Sequence, residues 1–278
     1  MKNGAVIATG LFTVGLGWVS VAAGQTSPPK SWRAACAAEQ VETRATRPNF
    51  SSATDTTLCG VVEADYGWAR QWPGAGIHQN FLSSALRFGI APRMDFRWGS
   101  DNHISQRAGG VTLQGSGDNW LGVRYRFFDQ KKNFPALGFS YTIKVPTANP
   151  AKGFGSGLVD HALALLVSKD FGKYHCDFNA VGSLTGDQGG LAKSTVLALA
   201  VFHPVVRRLT ALAEVRGGSQ PNGSRFASGL GGLSYAVNRR FVLDTSFEPG
   251  LTSNTLRSRL QVGVTYALGN LYSGLVAK

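Results

Sequence analysis

Hydrophobic and polar residues alternate along most of the chain. In the stretch LGVRYRFFD, Val123 and Tyr125 lie on one side and Arg124 and Arg126 on the other, and ALGFSYTIKV repeats the pattern further along. Successive side chains of a β-strand point to opposite faces, so each stretch predicts a strand with one apolar and one polar face.

The alternation predicts twelve strands of 11 to 15 residues each, longer than the five or six that are usual in globular sheets. A tilted strand needs roughly 9 to 11 residues to cross a bilayer, which these lengths allow. The predicted strands are 57–71, 76–90, 93–104, 117–129, 134–146, 157–169, 173–184, 193–203, 207–218, 226–237, 240–250 and 257–269.

The connections mostly alternate between short and long. Outer-membrane barrels have an even number of strands, short periplasmic turns and longer outside loops. One connection, at residues 72–75, is short although it would also lie outside. The short turns are 91–93, 129–133, 170–172, 204–206 and 238–239, and the longer, polar, glycine-rich loops are 104–118, 146–157, 184–193, 217–226 and 250–257.

The apolar face is expected to contact lipid. Large side chains turned inward from all twelve strands would crowd a lumen, and a closed barrel satisfies its backbone hydrogen bonds within lipid. We therefore predict an all-β fold, a transmembrane antiparallel up-and-down β-barrel. The charged residues on its polar face, expected to line the lumen, are Glu63, Asp65, Arg87, Arg97, Arg124, Arg126, Lys144, Asp160, Asp177, Glu214, Arg216, Asp244, Glu248, Arg257 and Arg259.

The signs of these charges are unevenly distributed. Arginines on neighbouring early strands are expected to form a ladder on one wall, facing carboxylates of later strands across the lumen. Such walls create a transverse field in a pore. The alternative is that the charges pair and close the lumen, because twelve strands lie between filled eight-stranded barrels and open sixteen-stranded porins. The ladder is Arg87, Arg97, Arg124 and Arg126, and the facing carboxylates are Asp160, Asp177, Glu214, Asp244 and Glu248.

The first residues have the features of a secretory signal peptide, predicted over 1–24. Lys2 precedes a short apolar run that ends at the small residues Ala22 and Ala23. A membrane anchor is the alternative, which the glycines within this run disfavour. No later segment has 18 uninterrupted apolar residues.

The rest of the chain divides into three parts. Residues 25–56 lack a clear period and are predicted to be a periplasmic N-terminal segment with a short helix near 32–41. Residues 57–270 are predicted to form the outer-membrane barrel, and residues 271–278 a C-terminal tail.

The three cysteines have different expected roles. Cys36 and Cys59 can pair in an oxidising compartment and staple the N-terminal segment. Cys176 falls on the apolar face of a predicted strand and is interpreted as a small hydrophobic residue. No Cys-x-x-Cys is present, and we predict neither a metal site nor a cofactor.

Charge and motifs argue against two other classes of function. The formal charge is +12, but the basic residues are scattered without a long run or a basic helix, so no nucleic-acid partner is expected. His175 and Asp177 share the inward phase of one strand, where they could carry a proton. No Gly-x-Ser-x-Gly or His-Glu-x-x-His motif occurs, and the protein is predicted not to be an enzyme.

Several strand blocks resemble a known family. LGVRYRFFD, PALGFSYTIKVPTA, GSGLVDHALALLVSKDFG, DFNAVG and VGVTYALG are similar to the outer-membrane transporter-like family named for the MetA pathway of phenol degradation, over roughly residues 57–270. The resemblance implies a bacterial outer-membrane barrel that passes small, often apolar or aromatic molecules.

The expected function is therefore a channel for passive diffusion. Expected partners are outer-membrane lipid, a small-molecule solute and, during biogenesis, the barrel-assembly machinery. The alternative is a non-conducting outer-membrane barrel with a structural or loop-mediated binding role. A soluble secreted β-sandwich is a third, weaker interpretation.

Overall fold

The computed structural model describes residues 32–74, 76–187 and 190–276. The predicted signal peptide, residues 1–24, lies outside the described residues. Among the residues that are described, no helix is both long and apolar enough to cross a membrane.

The described part of the chain is dominated by β-strands that follow the alternating pattern. Two short α-helices, α1 (Trp32–Ala37) and α2 (Ser273–Val276), flank them, and a 3₁₀ turn spans Pro150–Lys152. The strands are β1 (Val61–Gly74), β2 (Ile77–Ala91), β3 (Met94–Ala108), β4 (Val111–Gly115), β5 (Asn119–Phe128), β6 (Ala136–Val145), β7 (Asp160–Phe171), β8 (Tyr174–Asp187), β9 (Gly190–Val206), β10 (Leu209–Ser219), β11 (Arg225–Asn238), β12 (Phe241–Pro249) and β13 (Ser258–Asn270).

Twelve of these strands form a closed antiparallel barrel, which confirms the predicted fold class. Each pairs with its neighbours in the chain, and β1 pairs with both β2 and β13, so the sheet closes. The short β4 lies outside this order, because β3 pairs directly with β5 as well. Closure leaves the barrel strands without a free edge.

Strand ends differ from the predicted ones by at most four residues. β1 begins at Val61 rather than residue 57, and β3 extends to Ala108. The predicted loop 184–193 is almost entirely strand, because β8 and β9 stay paired as far as Asp187 and Gly190. Antiparallel neighbours continue to satisfy each other's backbone groups beyond the apolar segment, so a polar, glycine-rich composition did not end these strands.

The two faces of the barrel have opposite chemistry. Leu163, Leu197 and Val215 represent an outward set that is 51–57 % exposed, whereas inward Glu63 and Arg87 are 0 % and 1 % exposed. Exposed apolar side chains on every side of a closed barrel form a belt suited to lipid. The buried interior is therefore polar.

We call the two ends of the barrel the loop end and the turn end. At the loop end, long connections span residues 146–159 and 250–257; at the turn end, β7–β8 and β9–β10 are joined by two residues each. Helix α1 is fixed at the turn end by the Cys36–Cys59 disulfide. In the predicted C-terminal tail, the Tyr272 hydroxyl donates to the Ile90 carbonyl at 2.7 Å.

Candidate functional site

Residues 43–57, which we call the plug, lie inside the barrel. The segment enters at the turn end, where the Thr43 N–H donates to the Arg239 carbonyl at 2.9 Å. It then bonds to inward side chains of β1, β12, β13, β10, β8, β7, β5 and β3. Only a segment within the lumen can contact inward groups on all sides. These residues, apart from residue 57, were predicted to belong to a separate periplasmic segment, and the structure places them in the barrel.

Wall carboxylates hold the plug by its backbone N–H groups. Phe50 N and Ser51 N donate to Glu214 at 3.2 and 2.7 Å, and the Ser51 hydroxyl adds a bond of 2.6 Å. Across the lumen, Thr57 N donates to Asp95 at 2.8 Å. A hydrogen bond to a charged group contributes about 1.5–3 kcal/mol. The plug residues lack their own secondary structure here, so these acids act in place of a neighbouring strand.

Neutral wall residues complete the support. Asn179 accepts from Ser52 N at 2.7 Å and donates to the Ser52 carbonyl at 2.9 Å, which imitates one rung of a sheet. Thr54 N donates to the Ser168 hydroxyl at 2.8 Å. The plug is therefore bound through its backbone, which explains why its sequence carries no apolar period.

Two glycines make room for the plug residue Arg47. Gly67 on β1 and Gly263 on β13 are directly opposite each other, and a Cβ on either would lie 2.5 Å from the Arg47 guanidinium. In this space Arg47 Nε lies 3.3 Å from the Asp244 carboxylate. The absence of both side chains allows a cation to lie flat on the wall.

Arginines on the early strands are neutralised by nearby acids. Arg87 lies 2.7 Å from Glu63 and 2.8 Å from Asp65, and all three are buried. Arg124 lies 2.6 Å from buried Asp95. Buried charges are tolerated only when they are paired. Within the expected ladder, Arg87 and Arg124 are therefore paired inside their own wall, and their partners are not the carboxylates of later strands.

The other predicted lumen residues are distributed along the barrel. Asp177 accepts from Ser168, Arg97 Nε lies 3.3 Å from Asp95, and Arg126 bonds to Asp55 of the plug at 2.5 Å. Four further ion pairs, and two arginines without an ion pair among the described residues, complete the set. Lys144 bonds to Asp160 and Asp118, Arg216 bonds to Glu248, Asp244 bonds to Arg47, Arg259 lines the lumen near the loop end, and Arg257 lies before β13 and is exposed.

Asp95 was not among the predicted lumen residues, although it is a fully buried wall acid that contacts both an arginine and the plug. It lies two residues before Arg97 on the same phase of β3, so the alternation that selected Arg97 could have found it. Arg47 had no such signal, because the segment that carries it has no period.

His175 lies near the turn end between two acids. Its ring nitrogens are 2.6 Å from Asp170 and 3.1 Å from Asp177. Asp177 also accepts from Ser168, the residue that holds Thr54 of the plug. The pair considered for proton transfer thus belongs to the support of the plug. No group of three metal-ligating side chains occurs among the described residues.

Solved structures with a similar fold are outer-membrane barrels. An outer membrane channel from Pseudomonas putida F1 superposes with a TM-score of 0.59 at 13 % identity, covering 81 % of this chain and 100 % of that chain. The NanC porin gives 0.53 at 10 % identity over 74 % and 100 %. The KdgM porin gives 0.52 at 12 % identity over 74 % and 99 %. No family profile and no curated protein matches the sequence. At these identities the likeness is one of fold.

Proposed function

We propose that the protein is a bacterial outer-membrane channel through which small solutes diffuse, and that the plug restricts its lumen. The observation that carries the proposal is the closed twelve-stranded barrel with an apolar belt outside and charged groups inside. An apolar exterior fits lipid, and a charged interior fits water and polar solutes. The similarity to porins and an outer-membrane channel supports the same location.

The lumen above the plug is polar, which favours hydrated solutes. Gln71, Gln79 and Gln106 on three adjacent strands form a chain of hydrogen bonds near the loop end. Asp101 accepts from Ser83, which lies four residues beyond Gln79 on β2, towards the turn end. The family resemblance implies apolar or aromatic solutes, and these groups favour molecules that also carry a polar or ionised part.

The plug suits a gate, because polar contacts hold it. When the plug moves, its hydrogen bonds to the wall can be replaced by bonds to water, whereas an apolar plug would have to expose apolar surface to water. Moving it would uncover acids that water can also solvate. The proposal therefore predicts a low resting conductance that rises when the plug is removed.

Conductance in planar bilayers tests the proposal. The full chain is compared with a variant in which a six-residue Gly-Ser linker replaces residues 43–57. Folding of each is checked by heat-modifiable migration on unboiled gels. We expect small or rare current steps from the full chain and larger, persistent steps from the variant.

Two outcomes would contradict parts of the proposal. Silence from both folded proteins would refute the channel and favour a non-conducting barrel with a structural or loop-mediated role. Equal conductance from both would leave the channel in place and refute the gating role of the plug.

A further inference from the structure

A cavity of about 280 Å³ lies between the plug and strands β10 to β13, on the side of the plug that faces the loop end. Plug residues 47–50 form its base, and Arg216, Glu248 and Arg259 contribute to its walls. Its volume is at the small end of ligand pockets. Any occupant is therefore a small molecule.

The positive charges around this cavity exceed their partners. Three arginines surround it, and two of them use the nearby acids: Arg216 lies 2.5 Å from Glu248, and Arg47 lies 3.3 Å from Asp244. Arg259 has no hydrogen bond or salt bridge with any residue that the structure describes, and its Nε is buried without a partner.

Register alone would predict a partner for Arg259. Glu248 is directly opposite it on β12, yet the carboxylate turns to Arg216 instead. A half-buried guanidinium without a partner is unfavourable in a protein unless something else binds it. Glu248 and Asp101 attract it electrostatically, but neither forms an ion pair with it.

The cavity also contains an aromatic surface. The Phe50 ring is 39 % exposed, and the Arg216 guanidinium lies 4.9 Å from its centroid. The Gln261 amide is already occupied, because it donates to the Pro48 carbonyl and to the Ser246 hydroxyl. Arg259, which has no ion pair, and the aromatic ring of Phe50 line the same cavity, which suits a ligand with a single anionic group and a flat apolar body.

We propose that this cavity binds small aromatic carboxylates, with the carboxylate on Arg259 and the ring against Phe50. The site rests on the proposed function in one respect, since a solute reaches it through the lumen. Arginine binds a carboxylate with two parallel N–H···O bonds, which gives orientation as well as affinity. The ligand would contact the plug and the barrel wall together.

Binding is tested with benzoate on the full-length protein in detergent by isothermal titration calorimetry. Benzyl alcohol removes the charge but keeps the ring, and acetate removes the ring but keeps the charge. We expect benzoate to bind at least about tenfold more tightly than either, since each lacks one of the two recognised groups.

Two variants locate the site. Arg259→Met should weaken benzoate binding about tenfold or more, because it removes the unpaired guanidinium. Phe50→Ala should weaken benzoate but not acetate. The matched control is Arg225→Met, an exposed arginine at the same end of the barrel, which should bind as the parent does. Unboiled-gel migration confirms that each variant is folded.

The outcomes separate this site from the channel. Equal affinity of Arg259→Met and the parent, or of benzoate and benzyl alcohol, overturns the site. Benzoate binding without conductance in bilayers would support the site and refute the channel. Conductance without benzoate binding would refute the site alone.

Discussion

Arginines on two sides of the inner wall differ in their ion pairing. On β1 to β5, Arg87 and Arg124 are almost fully buried, and each has at least one carboxylate within 2.7 Å. On β13, Arg259 is less buried and has no ion pair or hydrogen bond among the described residues. Both belong to the charged phase of the alternation, so the pattern that identifies them does not distinguish them.

The difference separates structural charge from charge that is free for binding. A buried ion pair contributes little net stability but is costly to break, because the remaining charge keeps its desolvation penalty. A guanidinium without a protein partner carries no such dependence, and its removal leaves no carboxylate behind. Pairing within the wall, rather than residue type, therefore indicates which arginines can be changed.

The largest expected effect is on stability, when an ion-paired arginine of strands β1 to β5 is removed. Arg87→Met leaves Glu63 and Asp65 buried without their cation, and it should lower the free energy of unfolding by about 3–5 kcal/mol. The measurement is urea unfolding in lipid vesicles. Arg259→Met is the matched control and should change stability by less than about 1 kcal/mol. Equal losses in both variants would show that the two sides do not differ.

A second change tests whether a wall carboxylate that accepts hydrogen bonds from the plug backbone keeps the plug in place. Glu214→Leu removes three hydrogen bonds to residues 50 and 51 of the plug. The open population of the plug should rise by about tenfold or more, since one charged hydrogen bond contributes about 1.5–3 kcal/mol.

Hydrogen exchange at the Ser51 amide measures this opening. Asp160→Leu is the control, because Asp160 bonds to Lys144 and to the Gly186 N–H rather than to the plug. Unchanged exchange at Ser51 in Glu214→Leu would show that this acid does not hold the plug.

The smallest effect concerns the space for Arg47. Gly263→Ala places a methyl group 2.5 Å from its guanidinium, which must move away from Asp244. Because this side chain is flexible, we expect only about a two- to fivefold rise in channel opening, less than 1.4 kcal/mol in free energy. Gly269→Ala on the same strand meets nothing within 4 Å and should leave the bilayer current unchanged. A rise of the same size in both variants would contradict the role of Gly263.

The barrel could be predicted from the sequence because one rule governs every strand. Period-two alternation sets both the strand and the face, so all twelve barrel strands were predicted to within four residues of their ends. Strand ends were harder, because pairing with a neighbour rather than composition decides where β8 and β9 stop.

The plug could not be predicted, for a physical reason. It is held by its backbone N–H and C=O groups, as with Ser52 and Asn179, and any residue except proline supplies both groups. The disulfide between Cys36 and Cys59 was a candidate because an oxidising compartment was predicted, and the structure contains this bond. The pairing of Arg87 within its own wall needs strand register, which alternation does not give.

The disulfide gives the plug the topology of a closed ring. Cys36 and Cys59 are 23 residues apart in sequence and flank the plug, so the plug is tethered at both ends. One end is continuous with β1 and the other is fixed by a covalent bond. Because the plug is tethered at both ends, it stays near its binding site at an effective concentration of the order of millimolar, whatever the dilution of the protein. Return of the plug to its site is then a first-order process. The length of chain between the two cysteines limits how far the plug can move out of the lumen.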